Sequence, residues 1–193
     1  MECGRTVRIF ITLGILIALG LEQIVAAHHR AKLAAEAVAG FRHELADNRA
    51  NVQGAMVAMP KLRAEIQAQI AQVSLPPPAG SAAPPIKYPS IYFESISTAS
   101  WDTAVATHAL NEIPYEKARR YVEAYDVLRV FFEQERTGLA AWQDMRVFGN
   151  DSVRLTPDER RALIEQLHRY ESFTYVIDMM GRAAIQACDR ALQ

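Results

Sequence analysis

Cysteine is scarce in this sequence, and no catalytic, metal-binding or nucleotide-binding motif occurs in it. The two cysteines, Cys3 and Cys188, are expected on opposite sides of an apolar N-terminal segment, so they cannot form a disulfide within the chain. The net charge of −1 comes from scattered ions, and no segment has the concentrated positive field that nucleic acid requires. The sequence therefore predicts neither an enzyme nor a protein that binds a metal, a cofactor or nucleic acid.

What the sequence does contain is a long apolar stretch near its N-terminus. Residues 9–27, IFITLGILIALGLEQIVAA, are interrupted only by Thr12, Glu22 and Gln23. Their number is close to the roughly 20 residues that a helix needs to cross a bilayer. The sequence predicts a transmembrane anchor at residues 9–27, preceded by a short tail at residues 1–8.

The same stretch also resembles a secretory signal peptide. Arg5 and Arg8 precede the apolar residues, and the small residues Val25, Ala26 and Ala27 form a plausible cleavage site. Cleavage after Ala27 would leave a secreted helical protein. We favour the uncleaved anchor, because the helical pattern continues past Ala27 without a turn or loop.

A heptad-like seam begins within the apolar segment and continues far beyond it. From Gly20 to Val73, positions spaced alternately four and three apart are apolar except at Asn48 and Gln69. Such a seam is typical of a long helix packing along its length against other helices. The anchor and the membrane-proximal helix, residues 28–73, are therefore predicted to form one rod. Pro60 is expected to kink it.

The rest of the chain is predicted to be a linker followed by more helices. Residues 74–98 begin with SLPPPAGSAAPPIKYPS, a proline-rich composition typical of an extended spacer. Residues 99–193 are predicted to form a short helix over about 100–111 and two long helices, over 115–148 and from Thr156 to about 191. A turn at Gly149-Asn150-Asp151 is expected to end the first long helix, and Thr156 with Glu159 is expected to form a capping box at the start of the second. The predicted inward positions are Ala118, Tyr121, Tyr125, Leu128, Phe132, Glu135, Leu139 and Trp142 on the first, and Leu163, Leu167, Tyr170, Thr174, Ile177, Gly181, Ala184 and Cys188 on the second. The long helices must fold back as a hairpin on residues 28–73. The predicted fold is all-α, an elongated antiparallel helical bundle.

Six residues stand out as candidates for interaction or for fixing helix register. Gly14 and Ala18 form a small-x-x-x-small pair that permits close helix association in membranes. Glu22 is an acid at membrane depth, where it either has a buried partner or extends to the interface. Within the soluble part the candidates are Glu44, Asn48 and Glu135. Asn48 could fix register or pair with a buried backbone group, Glu44 could share its hydrogen bonds, and Glu135 needs a partner such as Arg42 or Arg146. Gln69 is expected at a solvated end of the rod.

Several short motifs resemble those of uncharacterised bacterial single-span inner-membrane proteins with a helical soluble domain. They are GILIALGLEQ, HHR and FRHELADNRANV in the first part of the chain, and TASWDTAVATHAL around Trp101. The resemblance implies a bacterial envelope protein and favours the anchor. It carries no activity, because none is assigned to that group.

Together these features predict a membrane-anchored interaction or assembly module. Its expected partners are the lipid bilayer and either a second copy of the chain or another membrane protein. The soluble domain is expected on the periplasmic side of the inner membrane, because a long polar domain after a first span is commonly exported. The alternative function is a sensory bundle that binds a small molecule between aromatic side chains such as Tyr121 and Tyr125.

Overall fold

A computed structural model describes residues 3–75, 85–92, 95–148 and 155–193, with side chains from residue 13 onward. The described secondary structure is helical throughout, which confirms the predicted all-α class. The elements are α1 (Cys3–Ser74), α2 (Ala99–Ala106), a 3₁₀ helix (Ala109–Glu112), α3 (Tyr115–Met145), a second 3₁₀ helix (Arg146–Phe148) and α4 (Pro157–Leu192). Part of the predicted linker and the expected turn at residues 149–151 lie outside the described residues.

Helix α1 is a single helix of 72 residues, about 108 Å long at 1.5 Å per residue. It begins at Cys3, inside the segment predicted as a tail, and it continues without a break through Pro60. Three consecutive prolines follow Leu75 in the sequence, and because each lacks a backbone N–H and crowds the preceding turn, such a run does not extend a helix. The last turn is held by Arg160, whose Nη1 donates to the carbonyls of Val73 at 2.6 Å and Leu75 at 3.2 Å.

Capping hydrogen bonds and backbone conformation account for where the other helices begin and end. The predicted capping box of α4 is present: Thr156 accepts from the Glu159 amide, and the Glu159 carboxylate accepts from the Thr156 amide. Helix α2 ends at Ala106, earlier than predicted. The chain turns there through His108, which has a left-handed backbone with φ of 56°.

Helix α4 is the centre of the bundle, because it packs along both α1 and α3, whereas those two helices make few contacts with each other. It runs antiparallel to α1, since Arg49 Nε lies 2.6 Å from Asp189 Oδ1 and Gln67 bonds Glu171 at 2.9 Å. It is also antiparallel to α3, since Arg190 pairs with Glu123 while Phe173 packs against Gly138. The predicted hairpin therefore lies along α1, with α4 as the helix in direct contact.

The seams predicted for α1 and α4 agree well with burial. Every predicted α1 position from Phe41 to Val73 is buried, as are all eight predicted for α4. The prediction for α3 was wrong in part: Phe131 and Gly138 are buried where Phe132 and Leu139 were expected. The reason is close packing at Gly138, where a Cβ would lie 2.0 Å from a ring carbon of Phe173.

The N-terminal part of α1 extends beyond the bundle. Within residues 13–25, eight large apolar side chains are 51–69% exposed: Leu13, Ile15, Leu16, Ile17, Leu19, Leu21, Ile24 and Val25. Along the described parts of the chain, no helix combines the length and the apolar character that a bilayer crossing requires. The anchor at residues 9–27 thus stays a prediction.

Candidate functional site

Three of the six candidate residues lie on the exposed part of α1, residues 13–29, which we call the apolar projection. Gly14, Ala18 and Glu22 are all exposed there. A Cβ at Gly14 would meet nothing within 4 Å. The Gly14–Ala18 face is therefore open along the described chain, and Glu22 is not buried against any other element of it.

The other two candidates on α1, Glu44 and Asn48, bind backbone groups at the start of α2. Asn48 is 1% exposed. Its Nδ2 donates to the Ser97 carbonyl and its Oδ1 accepts from the Ser97 amide, both at 2.8 Å. Glu44 Oε2 accepts from the Ser100 amide at 2.6 Å. Asn48 was expected either to fix helix register or to pair with a buried backbone group, and in the structure it pairs with the backbone of Ser97.

Glu44 takes the place of a missing cap on α2. The residue before this helix, Thr98, makes no side-chain bond to a backbone amide of the helix; its hydroxyl donates to Asp102 Oδ2 at 2.8 Å instead. The first amides of a helix need acceptors, and a carboxylate there also interacts favourably with the helix dipole. A glutamate from α1 thus stabilises the start of α2 across the bundle.

Four further polar residues of α1 continue this pattern along the segment that returns from the linker. The return segment comprises residues 85–92 and 95–98 of the described chain, and it has no regular secondary structure. Asn51 donates to Ser95 O at 2.9 Å and Glu65 accepts from Ser90 N at 2.8 Å. Gln69 accepts from Lys87 N at 3.1 Å, and Gln72 donates to Pro85 O at 3.1 Å. We call the six residues the polar ladder: Glu44, Asn48, Asn51, Glu65, Gln69 and Gln72.

The polar ladder consists of two equivalent halves. ELADNRAN, residues 44–51, and EIQAQIAQ, residues 65–72, share one pattern: glutamate, an apolar residue, an amide four positions after the glutamate, then alanine and a second amide. They are 21 residues apart, about 32 Å of α-helix. Each backbone partner of the first half lies ten residues after the corresponding partner of the second half. The partners are Ser100, Ser97 and Ser95 for the first half, and Ser90, Lys87 and Pro85 for the second. Ten extended residues span about 31 to 34 Å. The two spacings match.

The expectation that Gln69 is solvated was wrong, because it is 3% exposed and binds the return segment. Sequence reasoning also missed Asn51, Glu65 and Gln72, since polar residues on a long helix usually face water. The internal repeat of ELADNRAN and EIQAQIAQ was the signal available. A segment without helix or sheet needs partners for its amides and carbonyls, and repeated amides beside a seam can supply them.

An aromatic cluster packs behind Glu44. Phe41 lies 5.7 Å from Trp101, 5.0 Å from Tyr121 and 5.9 Å from Tyr125, measured between ring centroids. Trp101 and Tyr125 are 5.0 Å apart. The tyrosines and Phe41 are almost fully buried. These spacings are those of favourable aromatic pairs in a filled core.

Tyr125 Oη and Glu44 Oε1 are both buried beside this cluster, where the phenol and the carboxylate interact with each other. Burial raises the pKa of Tyr125 well above its ordinary value, and the nearby Glu44 carboxylate raises it further. The phenol therefore stays neutral. Burial likewise raises the pKa of the Cys188 thiol to about 11, which leaves it unreactive in the folded protein.

Glu135, the sixth candidate, is buried away from the ladder, in the wall of a small cavity of about 10 Å³ beside Tyr170 and Phe173. Neither arginine suggested as its partner lies in the expected position. Arg42 donates to the Leu192 carbonyl at 3.1 Å. Arg146 stacks on Trp142 at 5.1 Å and on Tyr88 at 5.5 Å from the ring centroids.

That stack joins the return segment to α3. Trp142 Nε1 donates to the Pro89 carbonyl at 2.9 Å, and Pro89 and Ile86 are buried. The return segment thus lies between two sets of contacts. On one side α1 binds its backbone with polar side chains; on the other, Trp142 of α3 binds Pro89, and Arg146 of the following 3₁₀ helix stacks on Tyr88. The return segment fills the space that α1 and α3 leave between them.

The described residues contain no group of three or more histidine, cysteine, aspartate or glutamate side chains placed to hold a metal ion. Comparison with protein-family models, with curated proteins and with solved structures gave no match to this chain. The two surfaces that the geometry defines are therefore the exposed apolar projection and the polar ladder with its return segment.

Proposed function

We propose that this chain is a single-pass protein of the bacterial inner membrane whose helical bundle is an interaction or assembly module on the periplasmic side. In this proposal residues 9–27 lie in the bilayer. The bundle beyond residue 33 then stands on the anchor as part of the same helix. Partner helices, either from a second copy or from another membrane protein, would contact the face that carries Gly14 and Ala18.

The observation that supports the anchor is the exposure of the apolar projection in a helix that continues into the bundle. Eight large apolar side chains over half exposed within residues 13–25 are costly in water. Each leucine, isoleucine, valine or phenylalanine at the centre of a membrane helix contributes about −0.3 to −0.6 kcal/mol to insertion. Glu22 lies toward one end of the apolar stretch, where its carboxylate can extend to the interface.

Membrane fractionation with paired variants tests the anchor. In Leu16→Asp/Leu19→Asp each acid costs about 2.5 to 3.5 kcal/mol at the helix centre, enough to cancel insertion. We expect carbonate washing to leave the wild type in the membrane and to extract the double variant. Val57→Asp/Val147→Asp is the matched control, because both valines are exposed on the bundle, at 76% and 84%.

The processing of the N-terminus separates the anchor from a cleaved signal peptide. Mass spectrometry of protein recovered from carbonate-washed membranes should detect residues 1–27 on the mature chain. A mature terminus at His28 would replace the anchor by a secreted bundle.

Crosslinking in intact membranes tests the interaction role. We expect a dimer or a complex with a second membrane protein, weakened by Gly14→Leu, because a large side chain keeps helices apart. Gly20→Leu is the control on the same exposed stretch, where a Cβ also meets nothing within 4 Å. Monomers alone, with no protein co-purifying, would contradict the role.

A further inference from the structure

We infer that the lower end of the bundle, formed by the turn at His108 and the 3₁₀ helix Ala109–Glu112, lies against the phospholipid headgroups. The inference rests on the proposed anchor and adds a second contact to it. The bundle is then held at a fixed height on the bilayer surface and does not stand away from it on a free stalk.

An ion pair fixes the height of the 3₁₀ helix along α1. Arg30 Nε lies 3.0 Å from Glu112 Oε1. Arg30 lies three positions after Ala27, where the apolar segment ends, which is about 4.5 Å along the helix axis. The headgroup layer on each side of a bilayer is about 5 to 7 Å thick. An anchor that ends at Ala27 therefore brings the 3₁₀ helix into that layer.

The side chains at this end suit a polar lipid surface. His108 is exposed at the turn before the 3₁₀ helix, and Tyr115 at the start of α3 is 76% exposed. Tyrosine is enriched where membranes meet water. The contact of Tyr121 with Phe41 puts Tyr115 about 12 Å beyond Ala27 along the axis. A helix tilt of about 20°, the average for membrane helices, brings one side of the bundle several ångströms closer.

The charges at this level indicate which lipids are needed. Arg30 is paired with Glu112, and Lys32 with Glu36 at 3.7 Å. The pairs leave little net charge facing the bilayer. We infer that the contact is with the zwitterionic headgroup surface itself and does not require anionic lipid.

Lipid quenching of site-specific fluorophores tests the height of the bundle. In a Cys3→Ser background, Asn111→Cys labels the 3₁₀ helix, and Val147→Cys labels the opposite end. Buried Cys188 does not react. Residue 147 is about 60 Å from Ala27 along the axis of the bundle. In phosphatidylcholine vesicles that contain headgroup-nitroxide lipid, we expect severalfold stronger quenching at position 111 than at 147.

Insertion of one helical heptad between Ala27 and His28 provides the matched variant. It lifts the bundle by about 10 Å while keeping its face and its internal contacts. In this insertion variant we expect quenching at position 111 to fall to the level at position 147. In the chain without the insertion, we expect quenching at position 111 to be unchanged when phosphatidylglycerol is added to the vesicles.

The outcomes separate this inference from the anchor on which it rests. Weak quenching at position 111, in protein that resists carbonate, would overturn the lipid contact and leave the anchor standing. Extraction by carbonate would overturn both. Quenching that requires phosphatidylglycerol would indicate a specific anionic lipid and overturn the contact with a neutral surface.

Discussion

The two ends of helix α1 follow one sequence pattern and yet lie in opposite surroundings. Gly20, Ile24, Ala27 and Ala31 occupy the predicted seam as regularly as Leu45, Val52, Leu62 and Ile66 do. The first four are exposed and the second four are buried. The difference shows that a heptad pattern predicts which face of a helix is apolar. It does not predict how far a partner extends along that face.

Helix lengths account for where burial begins. Helix α4 has 36 residues, half of the 72 in α1, and its C-terminal carbonyl at Leu192 meets Arg42. Past that level the described chain has α2, the short 3₁₀ helix and the first turns of α3, and the 3₁₀ helix extends as far as Arg30. Residues before about 30 have no helix beside them in the described chain. Counting residues in the predicted hairpin would have given this limit.

The largest test of the comparison truncates one large apolar residue at each end of α1. Phe41→Ala removes the centre of the aromatic cluster and should lower the free energy of unfolding by about 3 to 5 kcal/mol. Leu16→Ala, at 61% exposure, should change bundle stability by less than about 0.5 kcal/mol. Urea unfolding of the detergent-solubilised chain, followed by the fluorescence of Trp101 and Trp142, measures both. Equal losses would mean that the projection is packed in solution.

The next test removes one amide from the polar ladder. Asn48→Ala leaves the Ser97 amide and carbonyl without their partners, and we expect a loss of about 1 to 3 kcal/mol in unfolding free energy. Asn51→Ala, three residues on, removes one exposed bond and should cost under about 1 kcal/mol. The rate of thiol labelling at buried Cys188, in a Cys3→Ser background, measures the opening of the bundle independently of urea unfolding. If Asn51→Ala lowered the unfolding free energy as much as Asn48→Ala, the distinction between a buried and an exposed residue of the polar ladder would be wrong.

The sequence was sufficient for the approximate extent of the long helices and for two of the three long seams, because apolar periodicity directly encodes burial. It failed at Phe132 and Leu139, since Gly138 allows the Phe173 ring to approach α3 and turns the contact face by one residue. It identified Glu44 and Asn48 as unusual, but their partners lie on a segment with no periodic signal. The path of an extended chain depends on distant side chains, which a local pattern does not contain.

A glycine in each region gives the third test. Gly138→Ala introduces a Cβ that overlaps the Phe173 ring. Overpacking of this kind costs about 1 to 3 kcal/mol and outweighs the helix propensity that alanine gains over glycine, about 0.5 to 1 kcal/mol. Gly20→Ala gains the same propensity with open space around it, so the bundle should unfold at an unchanged urea concentration. Unchanged stability in Gly138→Ala would show that Phe173 moves freely.

The smallest effect expected is a pH dependence carried by Glu65 in the ladder. The bond from the Ser90 amide is the main cause that holds the pKa of Glu65 below its ordinary value of 4.5, against an opposing effect of burial. A carboxyl group with a lowered pKa in the folded state stabilises that state above its unfolded pKa. This contribution is lost as the pH falls through the folded value. The bundle should therefore weaken as the pH falls below about 4.5.

Replacement of Glu65 by glutamine keeps an acceptor for the Ser90 amide and removes the titration. The difference in urea midpoint between about pH 6 and about pH 4 should be smaller in Glu65→Gln than in the wild type. Glu133→Gln, on an exposed face of α3, is the control and should leave that difference unchanged. If Glu65→Gln kept the full pH dependence, the Ser90 bond would contribute nothing to holding the return segment. The ladder would then act through its amides alone.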